Sequence, residues 1–290
     1  MELPHTEQNP RTRRWLLTRG AATAAAVAAG AVWATPTAAG AALATVDHEL
    51  VLVAALVDPP KADTGITPGC GPHVLPVEQA LDAKNLLAAS AVDGHYGTST
   101  ISAYAAYQRS LGYSGIDANG LPGATSLTNL GADRYTVTHK VSAGSRNESY
   151  GGKRVNARTK SMLANADGKV SFSITLTQGS YTSSNPDSAG THDGGGVVDI
   201  GVNSLSTTQR WQLVKALRTV GFAAWLRTPD QGFAYHVHAV AVADPDLSGQ
   251  AQAQVHDYYF GKNGLASHAA DNTPSAYRMP FTWWEKYSRG

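Results

Sequence analysis

Four side chains in the second half of the chain have the types and spacing to hold a metal ion. His192 stands before a triple glycine in Thr191-His192-Asp193-Gly194-Gly195-Gly196-Val197-Val198-Asp199. Glycines let the backbone bend tightly, so a side chain before the turn and one after it can converge. Asp199 lies between Val198 and Ile200. A carboxylate flanked by β-branched residues on a short strand is costly to bury unless it is paired or bound to a cation. Tyr235-His236-Val237-His238 follows further on. On a strand this puts His236 and His238 on one face, with Tyr235 and Val237 on the other. Two imidazole nitrogens and one carboxylate oxygen leave a fourth position of a zinc ion open to water, the catalytic rather than the closed structural arrangement. Such a site lowers the pKa of water from about 15.7 toward roughly 7. Each histidine taken singly reads as a surface or satisfied core residue; the four together favour a metal.

The elements that must position these residues form an α+β pattern from Arg146 onward. A helix is expected over 155–166, ended by Asp167-Gly168. Residues 170–177 alternate apolar and polar, which predicts a strand, and 197–202 predict a second. Ser206-Thr207-Thr208-Gln209 is a capping-box start. The helix it opens carries Trp211, Val214, Leu217 and Val220 at helical spacing and is closed by Gly221. Strands over 222–226 and 234–242 follow, then a helix over 246–260. Strands mixed with intervening helices predict an α+β domain at 146–290 with a mostly antiparallel sheet.

Upstream, residues 76–132 predict a small all-α unit of three helices, separated by turns at Val92-Asp93-Gly94-His95-Tyr96-Gly97 and Gly120-Leu121-Pro122-Gly123. Residues 45–75, with Asp58-Pro59-Pro60 and Thr67-Pro68-Gly69, are expected to be a linker holding one short apolar element at 50–57. Residues 133–145 are expected to be a second linker. The N-terminus predicts export: Arg13-Arg14 precedes Trp15-Leu16-Leu17, then an Ala-rich stretch and small residues up to Ala44. Paired arginines before a weakly apolar run resemble a twin-arginine signal, a receptor-read address. The run is too weakly apolar for a span. The expected mature protein is secreted or wall-associated, with no stable membrane anchor after cleavage at or shortly before Ala44.

The 290 residues carry a formal charge of +1, which gives no field to gather nucleic acid, and nucleic acid is excluded as a partner. Cys70 is the one cysteine, so no disulfide closes within the chain. It is expected to be a free surface thiol rather than a catalytic one.

Val92-Asp93-Gly94-His95-Tyr96-Gly97-Thr98, Tyr107-Gln108-Arg109-Ser110-Leu111-Gly112-Tyr113 and Gly120-Leu121-Pro122-Gly123 together resemble the three-helix bacterial peptidoglycan-binding domain. That resemblance implies peptidoglycan as partner; the alternative is a spacer bundle without a ligand. His192, Gly195, Val197 and Asp199 resemble the His-x-x-Gly-x-Ala-x-Asp motif of the zinc D-Ala-D-Ala carboxypeptidase family, related to lysostaphin and the hedgehog signalling domain, with Val197 in place of the Ala. His236-Val237-His238 is similar to that superfamily's His-x-His. The resemblance implies zinc ligation by His192, Asp199 and His238, with His236 in the active site. Two departures stand out. Tyr235 occupies the position of the family's usual general-base Glu, and Gln178-Gly179-Ser180-Tyr181 lacks the family's carboxylate-binding Arg. His236 could then act as base, and Gln178, Tyr181 or Arg227 could face substrate. The expected function is an exported zinc peptidase cutting peptidoglycan stem peptides, as carboxypeptidase or endopeptidase. The alternative is a non-catalytic wall-binding protein that keeps the metal or the fold.

Overall fold

The computed structural model describes residues 42–59, 65–183 and 186–290. The expected export segment lies outside the described residues except for its last three. No helix among the described residues is long and apolar enough to cross a membrane. Helices and largely antiparallel strands combine in an α+β arrangement.

The chain enters through β1 (Ala44–Asp47) and turns directly into α1 (His48–Val57). Asp47 starts the helix, its Oδ1 accepting from the amides of Glu49 at 3.0 Å and Leu50 at 3.4 Å. The run from Val51 to Val57 is apolar on every side, and a helix of that kind belongs inside a protein. All of it is buried. The segment expected as a linker therefore contributes a central core helix.

α2 (Gly71–Asp82), α3 (Thr98–Ser110) and α4 (Ala124–Leu130) follow. α2 begins earlier than the apolar spacing suggests, with Pro72 in its first turn where no amide partner is needed. It ends before Leu86 and Leu87 because Asn85 adopts φ 57°, the left-handed conformation. The amides of Asn85 and Leu86 reach back to the carbonyls of Asp82 and Leu81, which closes the helix end. The motif residues are consumed in building this unit. Buried Glu78 accepts from the amides of Asp93 and Gly94 and from the Thr100 hydroxyl, fixing the Asp93-Gly94 turn. Gln108 holds the Gly120-Leu121 turn from both sides, donating to Leu121 O at 2.8 Å and accepting from Gly120 N at 2.9 Å. Tyr104 is core, as expected, with its hydroxyl against that of Ser126.

The second expected linker also has structure. β2 (Tyr135–Thr138) pairs in parallel with β1, and Val141 is buried with its amide on His48 Nδ1. A short hairpin, β3 (Glu148–Tyr150) and β4 (Lys153–Val155), leads to α5 (Ala157–Asp167).

The site-bearing sheet is built from β5 (Leu176–Gln178), β6 (Val197–Gly201), β7 (Phe222–Arg227) and β8 (His236–Ala241), in the antiparallel order β5-β6-β8-β7. β5 is much shorter than the alternation of 170–177 predicts. Asp167 competes for that segment: its carbonyl accepts from Val170 N and its Oδ1 from Ile174 N at 2.6 Å. Between β6 and β7 runs α6 (Thr207–Thr219), opened by the expected reciprocal Ser206–Gln209 cap. After β8 comes α7 (Gly249–Tyr259), capped by Ser248, and the chain closes with α8 (Trp284–Arg289).

Strand alternation gives the sheet two apolar faces. Val198, Ile200, Ala224, Leu226, Val237 and Ala239 point to the side covered by α5 and α6. Val197, Ala223, Trp225 and Val240 point to the other side and join one cluster with α7 and the α1–α4 unit. α1 packs on α7, and the Trp283 indole and Arg289 guanidinium close back on buried Glu49.

Candidate metal centre

Register, rather than proximity in sequence, assembles the site. Directly paired residues on neighbouring strands point to the same face. Gln178 pairs with Asp199, Asp199 with His238, and His238 with Trp225, so one row crosses the sheet. The next row is Gly201, His236 and Arg227. The expectation that His236 and His238 share a face holds, and so does its corollary. Tyr235 turns the other way, 36% exposed, with its ring under the Arg210 guanidinium at 4.2 Å.

His192 enters from above the row on the short turn Thr191–Asp193. Three glycines then carry the chain down to β6, and the structure gives them a reason beyond flexibility. The loop 244–248 lies directly against them. Gly195 N donates to Asp246 O at 2.8 Å, and Ala241 N donates to Gly196 O at 2.7 Å. A Cβ on Gly195 would sit 2.8 Å from both Asn156 Nδ2 and the Asp246 side chain. Gly196 in addition has φ +76°. Asp246 is held by two bonds from Arg146, each 2.7 Å, and Asn156 donates to the buried Asp244 at 2.9 Å.

His192, Asp199 and His238 converge, with one ligand atom from each lying within 4.8 Å of the others. Asp199 Oδ1 is 2.8 Å from His238 Nδ1, and its Oδ2 is 3.4 Å from His192 Nε2. His236 Nε2 stands 3.8 Å from Asp199 Oδ1. The outer nitrogens of both candidate histidine ligands are engaged. His192 Nδ1 lies 2.8 Å from Gly179 O, and His238 Nε2 lies 2.9 Å from Gln254 Oε1. Histidines that bind metals are held in this way, by an acceptor on the nitrogen facing away from the ion.

The electrostatics suit a cation. Burial works to raise the Asp199 pKa, but the hydrogen bonds to His192 and His238 outweigh it and hold the carboxyl well below the usual range. Burial lowers the His238 pKa, with Asp199 partly opposing it. An ionised carboxylate beside a neutral imidazole is the protonation state that ligands need. His238 also has acceptors on both edges and can satisfy both only when doubly protonated. A cation between Nδ1 and Asp199 removes that conflict. Zn–N bonds of about 2.0–2.1 Å in a tetrahedral site separate ligand atoms by ~3.3 Å, against 2.8 and 3.4 Å between Asp199 and the two histidines. The residues present fit a divalent metal.

The group lines a cleft of about 370 Å³, walled by α7 and by the 264–266 loop. Among the residues expected to face substrate, Gln178 and Arg227 line it. Arg227 donates to Asn263 O at 2.7 Å, while its Nη2 is buried with no hydrogen-bond partner. Burial pushes its pKa down to about 10. Tyr181 stands apart. Its φ of 58° swings it toward the 244–248 loop, where its hydroxyl donates to Asp246 at 2.6 Å and Arg154 lies over its ring.

The sequence reading missed Trp225, whose ring stacks on His238 at 6.4 Å, and Gln254. The only available hint of Gln254 was a glutamine at helical spacing beside Gln250. No protein-family model, curated protein or solved structure matches this chain.

Proposed function

We propose that the chain is an exported, cell-wall-associated zinc peptidase that hydrolyses peptidoglycan stem peptides. The observation that carries the reading is the convergence of His192, Asp199 and His238 in a cleft beside His236. Zinc suits this donor set, and when bound it supplies Lewis acidity and lowers the pKa of water. The chain's own groups do the rest. Asp199 stays ionised and balances the cation. His236 Nδ1 lies 2.8 Å from Ala234 O; donating there leaves the Nε2 lone pair toward Asp199, where it can take a proton and return it to the leaving amine. The unpaired Nη2 of Arg227 supports a substrate with a negative group near the bond cut, because a buried charged donor without a partner is costly. Gln178 lies at the other end of the ligand row. The 76–132 unit is the proposed peptidoglycan-binding part, on the resemblance of its turns, with export by the twin-arginine-type N-terminus.

A second reading, a wall-binding protein that holds a metal without turnover, is favoured by Tyr235, which faces away from the cleft where a general base would have stood. One experiment separates the two. The mature chain is purified, its zinc content measured, and the protein incubated with peptidoglycan. About one zinc per chain, with released D-Ala or new amino termini and loss of both in His192→Ala, is expected. Zinc without cleavage across several peptidoglycan types leaves the binding protein, and the absence of zinc removes both readings.

A further inference from the structure

We propose that Gln254 is a positioning residue that fixes which nitrogen of His238 faces the metal. The inference rests on the metal reading of the site and deepens it. α7 lies along the cleft and presents Gln250, Ala253, Gln254 and Asp257 to it, the spacing of one helix face. Gln254 alone among them reaches a candidate ligand, its Oε1 lying 2.9 Å from His238 Nε2. The orientation of the amide is decided by its other end. Gln254 Nε2 is 3.0 Å from Gly264 O, and a backbone carbonyl can only accept. The amide nitrogen must therefore face Gly264, which leaves the carbonyl oxygen facing His238. That oxygen in turn can only accept, so His238 must carry its proton on Nε2. With a cation between Nδ1 and Asp199, Nδ1 then offers its lone pair to the ion.

Three further contacts keep the arrangement from relaxing. The Trp225 ring lies nearly parallel to His238, 22° between planes, and restricts tilting of the imidazole. The Trp225 indole is itself tied to Lys262 O at 2.9 Å. Gly264 presses on that indole so closely that a Cβ there would lie 2.9 Å from its ring. The 262–264 segment thus serves twice, anchoring the stacked ring and providing the carbonyl that sets the glutamine. His192 is oriented differently, by a backbone carbonyl on its Nδ1, so the two histidines offer opposite nitrogens to the ion.

The test compares wild type with Gln254→Leu, which removes the acceptor at similar size, and Gln254→Glu, which keeps an acceptor. Zinc affinity is measured by chelator competition, and the His238 nitrogen that carries the proton by long-range 1H–15N NMR on the zinc-loaded protein. The expected result is Nε2–H in wild type, a zinc affinity 10–100-fold weaker in Gln254→Leu, and recovery to within a few-fold of wild type in Gln254→Glu. Wild-type affinity in Gln254→Leu, or an Nδ1–H tautomer in wild type, overturns the proposal while leaving the metal reading intact. A wild type that binds no zinc overturns both, and is told apart from the first case by the wild-type measurement alone. If Gln254→Leu fails to fold by circular dichroism, the wild-type tautomer and the Gln254→Glu affinity decide: Nδ1–H, or a 10-fold loss in Gln254→Glu, counts against it.

Discussion

Gly195→Ala is the sharpest probe of how the ligands are brought together, because one methyl group is aimed at the contact that seats the His192 turn. Gly195 is not among the residues with positive φ, so space alone decides the outcome. The new Cβ would lie 2.5 Å from the Tyr181 hydroxyl oxygen and 2.8 Å from Asn156 Nδ2. Neither neighbour gives way freely. The Tyr181 hydroxyl donates to Asp246, and Asn156 is fully buried, capping α5 and bonding Asp244. Overpacking of this kind costs about 1–3 kcal/mol, and a lost hydrogen bond to a carboxylate about 1.5–3 kcal/mol. The sum is roughly 2.5–6 kcal/mol, a large part of the ~5–15 kcal/mol of a typical domain. Urea unfolding of the metal-free protein measures it directly. Gly249→Ala is the control: nothing lies within 4 Å of its Cβ position at the start of α7, and the change is expected to stay under about 1 kcal/mol. A Gly195→Ala protein within about 0.5 kcal/mol of wild type would show that the loop does not clamp the glycines and would refute the reasoning.

Two other measurements test the helical unit. Burial raises the Glu78 pKa to about 7 against the hydrogen bonds it accepts, so between about 4.5 and 7 the folded chain keeps a proton that the unfolded chain has lost. Stability from this group therefore falls as pH rises through that window, and unfolding curves across pH should show this slope in wild type and not in Glu78→Gln. Cys70 is buried in the core at the start of α2 rather than lying at the surface as expected. Burial pushes its thiol up to about 12, and since the thiolate is the reactive form, alkylation should be slow in the native chain and become stoichiometric on unfolding.

Where a feature was written into local pattern, the sequence was enough to see it. The shared face of His236 and His238 follows from strand alternation, and the Ser206–Gln209 cap from four adjacent residues. The α1 helix was hidden because eight consecutive apolar residues carry no periodicity that separates a buried helix from a strand. The late start of β5 depended on a side chain at Asp167 bonding seven residues ahead, which alternation does not register. Gln178 entered the ligand row because of pairing with Asp199, a relation between strands that no single segment displays. Gln254 and Trp225 matter only once α7 lies over the sheet and β7 lies beside β8, so their types and local spacing carried almost no signal.

The shared apolar cluster of α1, α7 and the inner sheet face changes how reach should be understood. Val141 and Val46 are as deeply buried as Val197 and Val240, so residues 42–59 and 65–143 behave as a rigid arm rather than a leash. If that arm grips a surface, the cleft samples one orientation at one distance from each point of grip, and no linker entropy broadens its range. Separating the arm from residues 146–290 would expose the Val197–Trp225–Val240 face to water. Heat or urea should then unfold arm and sheet in a single transition, and a shortened chain should aggregate through that face rather than act alone.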